Sequence, residues 1–211
     1  MRSYGQYCSV ARALDAIGDR WSLLIVRELL LRGPCRYTDL LGGLPGIATN
    51  LLADRLRELE KAGILGREQA PPPVATALFA LTPRGEQLAP VMRELGRWGA
   101  PLMAEPGGDA AFRSRWLKLP VELFLSDQTP DRPPVQIELR TGDEPMTIRT
   151  GDGEVRAHPG AAEDPDLVLS GTPQLVIGVL SGRLGLGDAS ADGLQYDGDP
   201  GALTRVRPPA A

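Results

Sequence analysis

The stretch "LPGIATNLLADRLRELEKAGIL", Leu44 to Leu65, decides how the first half of the chain is read. Leu52, Leu56 and Leu59 recur at the spacing of one helical face and must be buried. Asn50, Asp54, Arg57 and Lys61 fall on the opposite face. The Pro45-Gly46 turn precedes the helix, Ala48 or Thr49 opens it, and Gly63 ends it. Its first turn carries the small polar residues Thr49 and Asn50, and charge begins only after them.

Upstream, "CSVARALDAIGDRW" reads as a helix through Val10, Ala13, Leu14 and Ile17, stopped by Gly18. Asp19 is expected to cap the next helix, "RWSLLIVRELLLRG", which is apolar nearly all round and therefore central to a core. Gly33-Pro34 ends it, and "RYTDLLGGLPG" is a short helix with Thr38 as its expected N-cap. Downstream, "ILGRE" and "TALFAL" are strand-like runs around "QAPPPVA". "TPRGEQLAPVMRELGRWG" reads as one helix opened by Thr82 and Pro83, with Leu88, Val91, Met92, Leu95 and Trp98 at helical spacing.

Two helices, a short helix, a tight turn, a longer helix, two strands and a helix form the order of a winged helix-turn-helix. In that fold the helix after the turn enters the major groove of DNA. Small polar residues at its start can approach base edges closely, while longer cations further along reach phosphates. Arg57 and Lys61 are placed for the second task, and Arg67 and Arg84 stand at the base of the wing. The wing tip "APPPVAT" has no lysine or arginine, so deep minor-groove reading by it is not expected.

The second half changes character. "AAFRSRWLKLPVELFLSD" is helical and interrupted at Pro120, "VQIELR" and "MTIRT" alternate as half-buried strands do, "DLVLSG" is a third strand, and "GDGEV" marks a turn. "TPQLVIGVLSGRLG" is read as a helix ended by Gly185, and "LQYDGDPGALTRV" as a strand with a short helix. The boundary falls in "PLMAEPGGD", giving domains 1–105 and 106–211. Charge divides in the same way. The first part has 13 Lys and Arg against 11 Asp and Glu, a net of +2, and the second has 10 against 16, a net of −6. The first is the more tolerant of a polyanion.

"CSVARALDAIGDRWSLLIVREL", "RYTDLLGGLPGIATNLLADRLRELEKAGIL" and "FALTPRGEQLAPVMRELGRWG" together resemble the HxlR family of bacterial winged-helix regulators, relatives of the MarR group, over residues 8–99. The resemblance implies homodimers that pack their terminal helices across a two-fold axis and bind a pseudo-palindromic double-stranded operator. It places Arg36, Thr38, Thr49, Asn50, Ala53, Asp54, Arg55 and Arg57 at DNA-facing positions. It also puts Cys8 where several members carry a redox- or electrophile-sensing thiol. Residues from about 110 to 207 resemble the sterol-carrier-protein-like α+β fold through "DLVLSGTPQLVIGVLSGRLG" and "ADGLQYDGDPGALTRV". That likeness implies an apolar tunnel lined by Trp116, Leu119, Leu123, Phe124, Val176, Ile177 and Leu180.

The expected architecture is therefore α+β in two domains, a winged helix-turn-helix followed by a sterol-carrier-like α/β domain. The expected function is a dimeric DNA-binding regulator responsive to a hydrophobic small molecule. Two rival readings are a redox sensor acting through Cys8, and a lipid carrier that uses the winged helix only to dimerise. The sole histidine, His158, lies in a loop-like "RAHPG", and no Cys/His cluster has metal-ligand spacing. No Walker loop, nucleophile elbow or dinucleotide fingerprint occurs, so no enzyme activity, metal or cofactor is implied. Two cysteines make no secreted disulfide framework, and neither a signal peptide nor a membrane span is read, which suggests a cytoplasmic protein.

Overall fold

The computed structural model describes residues 3–69, 76–104 and 110–208 of the chain. They divide into two units, Met1–Leu95 and Gly96–Ala211, each built on its own apolar core.

The first unit contains α1 (Ser9–Ile17), α2 (Ser22–Arg32), α3 (Tyr37–Gly43), α4 (Thr49–Lys61), β1 (Leu65–Gln69), β2 (Ala77–Leu81) and α5 (Pro83–Glu86). A further helix, α6 (Ala89–Gly99), crosses the boundary between the units. Ile25 and Val26 of α2, Leu40 of α3 and Leu52, Leu56 and Leu59 of α4 fill the core with Leu44 and Ile47 of the intervening turn. Gly46 makes that turn possible by adopting φ 85°, a left-handed conformation costly for residues with a Cβ. β1 and β2 pair antiparallel from Leu65↔Leu81 to Gln69↔Ala77. Cys35 forms an isolated bridge to β2, its N–H donating to the Phe79 carbonyl at 3.0 Å and its carbonyl accepting from the Phe79 N–H at 2.8 Å. The wing tip, residues 70–75, lies outside the described residues.

Three local expectations are corrected. Asp19 does not cap α2; Trp21 holds that place at φ 82°, which frees the Asp19 carboxylate for another partner. Arg36, not Thr38, is the N-cap residue of α3, and the Asp39 carboxylate accepts its N–H at 2.9 Å. Thr82 does cap α5, accepting the Gly85 N–H at 3.1 Å with Pro83 behind it. The helix it starts stops at Glu86, however. Pro90 has no N–H, and its ring would collide with the carbonyl four residues back, so a new helix begins at Ala89.

In the second unit a short 3-10 turn, Ser114–Leu117, leads into α7 (Lys118–Phe124). There follow β3 (Ser126–Asp127), β4 (Gln136–Arg140), β5 (Met146–Gly151), β6 (Glu154–Pro159), β7 (Leu167–Ser170), α8 (Pro173–Leu180), α9 (Leu186–Ala191), β8 (Gln195–Gly198), α10 (Ala202–Arg205) and β9 (Val206–Arg207). Five strands form one sheet in the order β6-β5-β4-β7-β8, with only β4 and β7 parallel. Ile137, Leu139, Met146, Ile148, Leu167 and Leu169 bury one face of it against Val176, Val179 and Leu180. His158 is on β6, not in a loop. Gly185 opens α9 instead of closing α8, which ends where Gly182 turns at φ 73°. β3 and β9 are fastened by the buried pair Asp127–Arg205, joined by two hydrogen bonds of 3.0 Å. No helix among the described residues is long and apolar enough to cross a membrane.

Candidate nucleic-acid interface

The orientation of α4 follows from its leucines. Leu52, Leu56 and Leu59 are at most 2% exposed, and each buried leucine favours this orientation by about 1.5–3 kcal/mol over exposure. With that face inward, Thr49, Asn50, Asp54, Arg57 and Lys61 are exposed, while Ala53 is half-buried. The Tyr37 hydroxyl donates to the Thr49 carbonyl at 2.6 Å and ties the start of α4 to the start of α3. Arg36 and Thr38 are exposed at the N-terminal end of α3. An exposed rim of two helix starts and one charged helix face results, the geometry by which a helix-turn-helix meets a duplex.

Carboxylates set the charge of this rim. The Arg57 guanidinium pairs with Asp54 one turn earlier, both side chains being more than half exposed. Arg67 on β1 donates to Glu60 at 2.7 Å and lies 5.1 Å from the centre of the Phe79 ring. The hydrogen bond and charge of Glu60 raise its already high pKa. Arg84 is exposed on α5.

Arg55 differs from these residues in exposure. Its side chain is only 16% exposed and pairs with Asp19 and, at 2.6 Å, with Glu58. Arg55 and Glu58 line two clefts: one of about 510 Å³ with Ser3, Tyr4, Leu14, Gly18 and Asp19, and one of about 540 Å³ with Asp54, Arg57 and Lys61. The family resemblance, not helical periodicity, puts Arg55 among the DNA-facing positions. The sequence shows neither its contact with Asp19, 36 residues away, nor the Tyr37 hydrogen bond, for which an aromatic residue at the start of a short helix is the available signal.

Cys8 is the exposed N-cap residue of α1. The backbone N–H groups of Ala11 and Val10 hold its thiol pKa below the ordinary value, as expected at the positive end of a helix. Cys35 is buried. On α1, Val10 and Leu14 are exposed one turn apart, and on α6 Val91, Leu95 and Trp98 are exposed, Trp98 by 76%. Of the expected ligand-lining residues, Val176 and Leu180 belong to the packed core of the second unit, with Ile177 against it. Trp116, Leu119, Leu123 and Phe124 are half-buried, and Trp116 meets Phe112 edge-on with ring centres 6.4 Å apart. Among the described residues no group of three or more His, Cys, Asp or Glu is placed to hold a metal ion.

Comparison with known proteins places this geometry. A family model described as HxlR-like helix-turn-helix matches residues 16–106. The HTH-type transcriptional regulator sll1512 of Synechocystis is 35% identical over 96 residues, which are 46% of this chain and 70% of that protein. The HTH-type transcriptional regulator YvaP of Bacillus subtilis is 34% identical over 41% of this chain and 80% of its own length. YodB of the same organism, also an HTH-type transcriptional regulator, is 35% identical over 45% of this chain and 83% of its own.

Proposed function

From the premise that this chain belongs to the HxlR-like helix-turn-helix family, and is an HxlR-type DNA-binding transcriptional regulator and not an enzyme, we propose how its residues act. α4 enters the major groove. Thr49 and Asn50 meet base edges there, and Ala53 allows close approach. Arg57 and Lys61 meet phosphate or guanine, with Arg36 and Thr38 on the flanking backbone and Arg67 and Arg84 on phosphates at the wing base. The observation that carries this is the division of α4 into a leucine face at most 2% exposed and an exposed face that opens with Thr49 and Asn50. A duplex selected from a random pool by the wild-type chain tests it. Asn50→Ala should relax the preference at one base position, and Lys61→Ala should weaken all duplexes alike and flatten the salt dependence by about one unit per contact. Unchanged binding by both variants would overturn the assignment.

The unit that acts is a homodimer with a pseudo-palindromic operator. Exposed Val10 and Leu14 on α1 and Val91, Leu95 and Trp98 on α6 support this, because they leave two apolar helix faces uncovered in a single chain. A monomer by light scattering at micromolar concentration would contradict it. The second unit is the effector-sensing part. Support comes from its separate core, its acidic balance and its position beyond most of the family match, 16–106. A sterol-carrier-like site for a hydrophobic molecule would form around the half-buried Trp116, Leu119, Leu123 and Phe124. Val176 and Leu180 are already packed.

A second reading has its own observation. The exposed Cys8 thiol, with its pKa lowered at the α1 N-terminus, suits a sensor of oxidants or electrophiles. Loss of an oxidant-driven change in DNA binding in Cys8→Ser would support it, and persistence would refute it.

A further inference from the structure

We propose that Arg55 is a positioning residue for the DNA-reading helix, which it fixes to the turn between α1 and α2, and makes no contact with DNA. The proposal rests on α4 being that helix. Arg55 lies on α4 between Asp54 and Leu56, yet its guanidinium reaches Asp19, outside the helix, while Glu58 one turn on holds the same nitrogen at 2.6 Å. The side chain is 16% exposed, and its Nε and Nη1 are enclosed without a hydrogen bond in the protein, so both contacts are ion pairs. A guanidinium held between two carboxylates gives up both ion pairs if it leaves for a phosphate, although both carboxylates keep contact with solvent.

Asp19 is itself well placed to give α4 a bearing. It follows Gly18, which closes α1, and precedes Trp21, which is held at φ 82° with its ring against the core. A left-handed backbone at a tryptophan persists only where its surroundings over-determine it, so the turn is a fixed point. The leucines of α4 set which face is buried but resist sliding and rolling only weakly, since apolar contact is non-directional. The Asp19–Arg55–Glu58 group adds a charge attraction between one point on α4 and one point on the turn. It also connects α1, with Cys8 at its start and exposed apolar residues along it, to the helix that reads DNA.

A double-mutant cycle on the full chain tests this, using the duplex selected from a random pool by the wild-type chain and a scrambled duplex of equal length. Arg55→Met and Asp19→Asn should each weaken binding to the selected duplex about tenfold. Binding to the scrambled duplex and the salt slope should stay unchanged, and the double variant should bind no worse than either single one. The proposal is overturned if Arg55→Met weakens both duplexes equally and flattens the salt slope by about one, or if the two losses multiply. It is equally overturned if both variants bind the selected duplex as the wild type does. Should Arg55→Met fail to fold, Asp19→Asn alone decides, because its side chain is 44% exposed and the exchange keeps its size. Asn50→Ala and Lys61→Ala arms separate the two readings: no effect in either would defeat the assignment of α4 itself.

Discussion

Asp54 and Arg57 give a prediction in which neighbouring charges on one helix act with opposite sign. In the free protein they pair across one helical turn, and both are more than half exposed, 52% and 69%. An exposed pair of this kind contributes about 0.2–1 kcal/mol, which Arg57 gives up when it turns to DNA. Asp54 also brings a negative charge to the face that meets phosphates. At roughly 8 Å in a water-like medium, one such repulsion costs about 0.5 kcal/mol. Asp54→Asn removes both costs, so each α4 should bind DNA more tightly by about 0.7–1.5 kcal/mol, or roughly 3- to 12-fold. Arg57→Ala should do the reverse, weakening binding by about 1–3 kcal/mol if the contact is bidentate to guanine and flattening the salt slope by about 0.9 per phosphate lost if it is not. Fluorescence anisotropy on one labelled duplex between 50 and 200 mM salt reads both quantities. Weaker binding by Asp54→Asn, or a shift of both variants in the same direction, would refute the reasoning.

Other consequences concern the frame around the site. Gly43, at the end of α3, leaves no room for a side chain: an added Cβ would stand 2.3 Å from Oε2 of Glu28, which is fully buried and paired with Arg27 at 2.9 Å. Gly43→Ala should therefore lower stability by about 1–3 kcal/mol in urea unfolding, whereas Gly42→Ala, whose Cβ meets nothing, should change it little. In the second unit, Asp127→Asn strands the buried Arg205 and should cost about 3–5 kcal/mol, while Asp127→Leu combined with Arg205→Met should cost less than the single change. The Arg205 hydrogen bonds hold the Asp127 carboxyl below its ordinary range, so its stabilisation is present above the unfolded carboxylate value of about 3.9 and is lost as pH falls through the folded one. The gap between wild type and Asp127→Asn in thermal melts should accordingly narrow in acid. Iodoacetamide labelling at neutral pH should modify exposed Cys8 faster than a free cysteine peptide and leave buried Cys35 unmodified in the native protein.

Patterns local to one element were legible in the sequence. The leucine repeat of α4 and the Thr82-Pro83 start each follow from the contacts of a single helix with one core. β4 and β5 are strands as expected, but they are buried on both faces, Glu138 and Thr147 included, so their alternation of residue types is not an alternation of burial. Interactions between distant segments were not legible. Nothing near Asp19 marks it as the partner of Arg55, and an aspartate before an apolar run reads more simply as a cap. β6 was read as turn and loop because Gly and Pro flank it, although Val155 and Ala157 alternate inward between exposed Glu154, Arg156 and His158. Its partner β5 and the Asp152-Gly153 turn, with φ of 53° and 79°, make a strand of a segment with modest propensity of its own. On the outer face of α4, Thr49, Asn50, Asp54, Arg57 and Lys61 are exposed as their spacing implies, because the helical period that buries three leucines also fixes what points away from them.

The central claim is that α4 of the first unit reads DNA as one of a two-fold related pair. In vitro selection from random duplexes by the full chain, followed by titration of the winning sequence across salt concentrations, tests it most directly. The account predicts a two-fold symmetric consensus with half-sites about 10 base pairs, ~34 Å, apart, whose affinity falls steeply with salt. Failure to enrich any sequence, or a single asymmetric site bound by one copy of the chain, would contradict it.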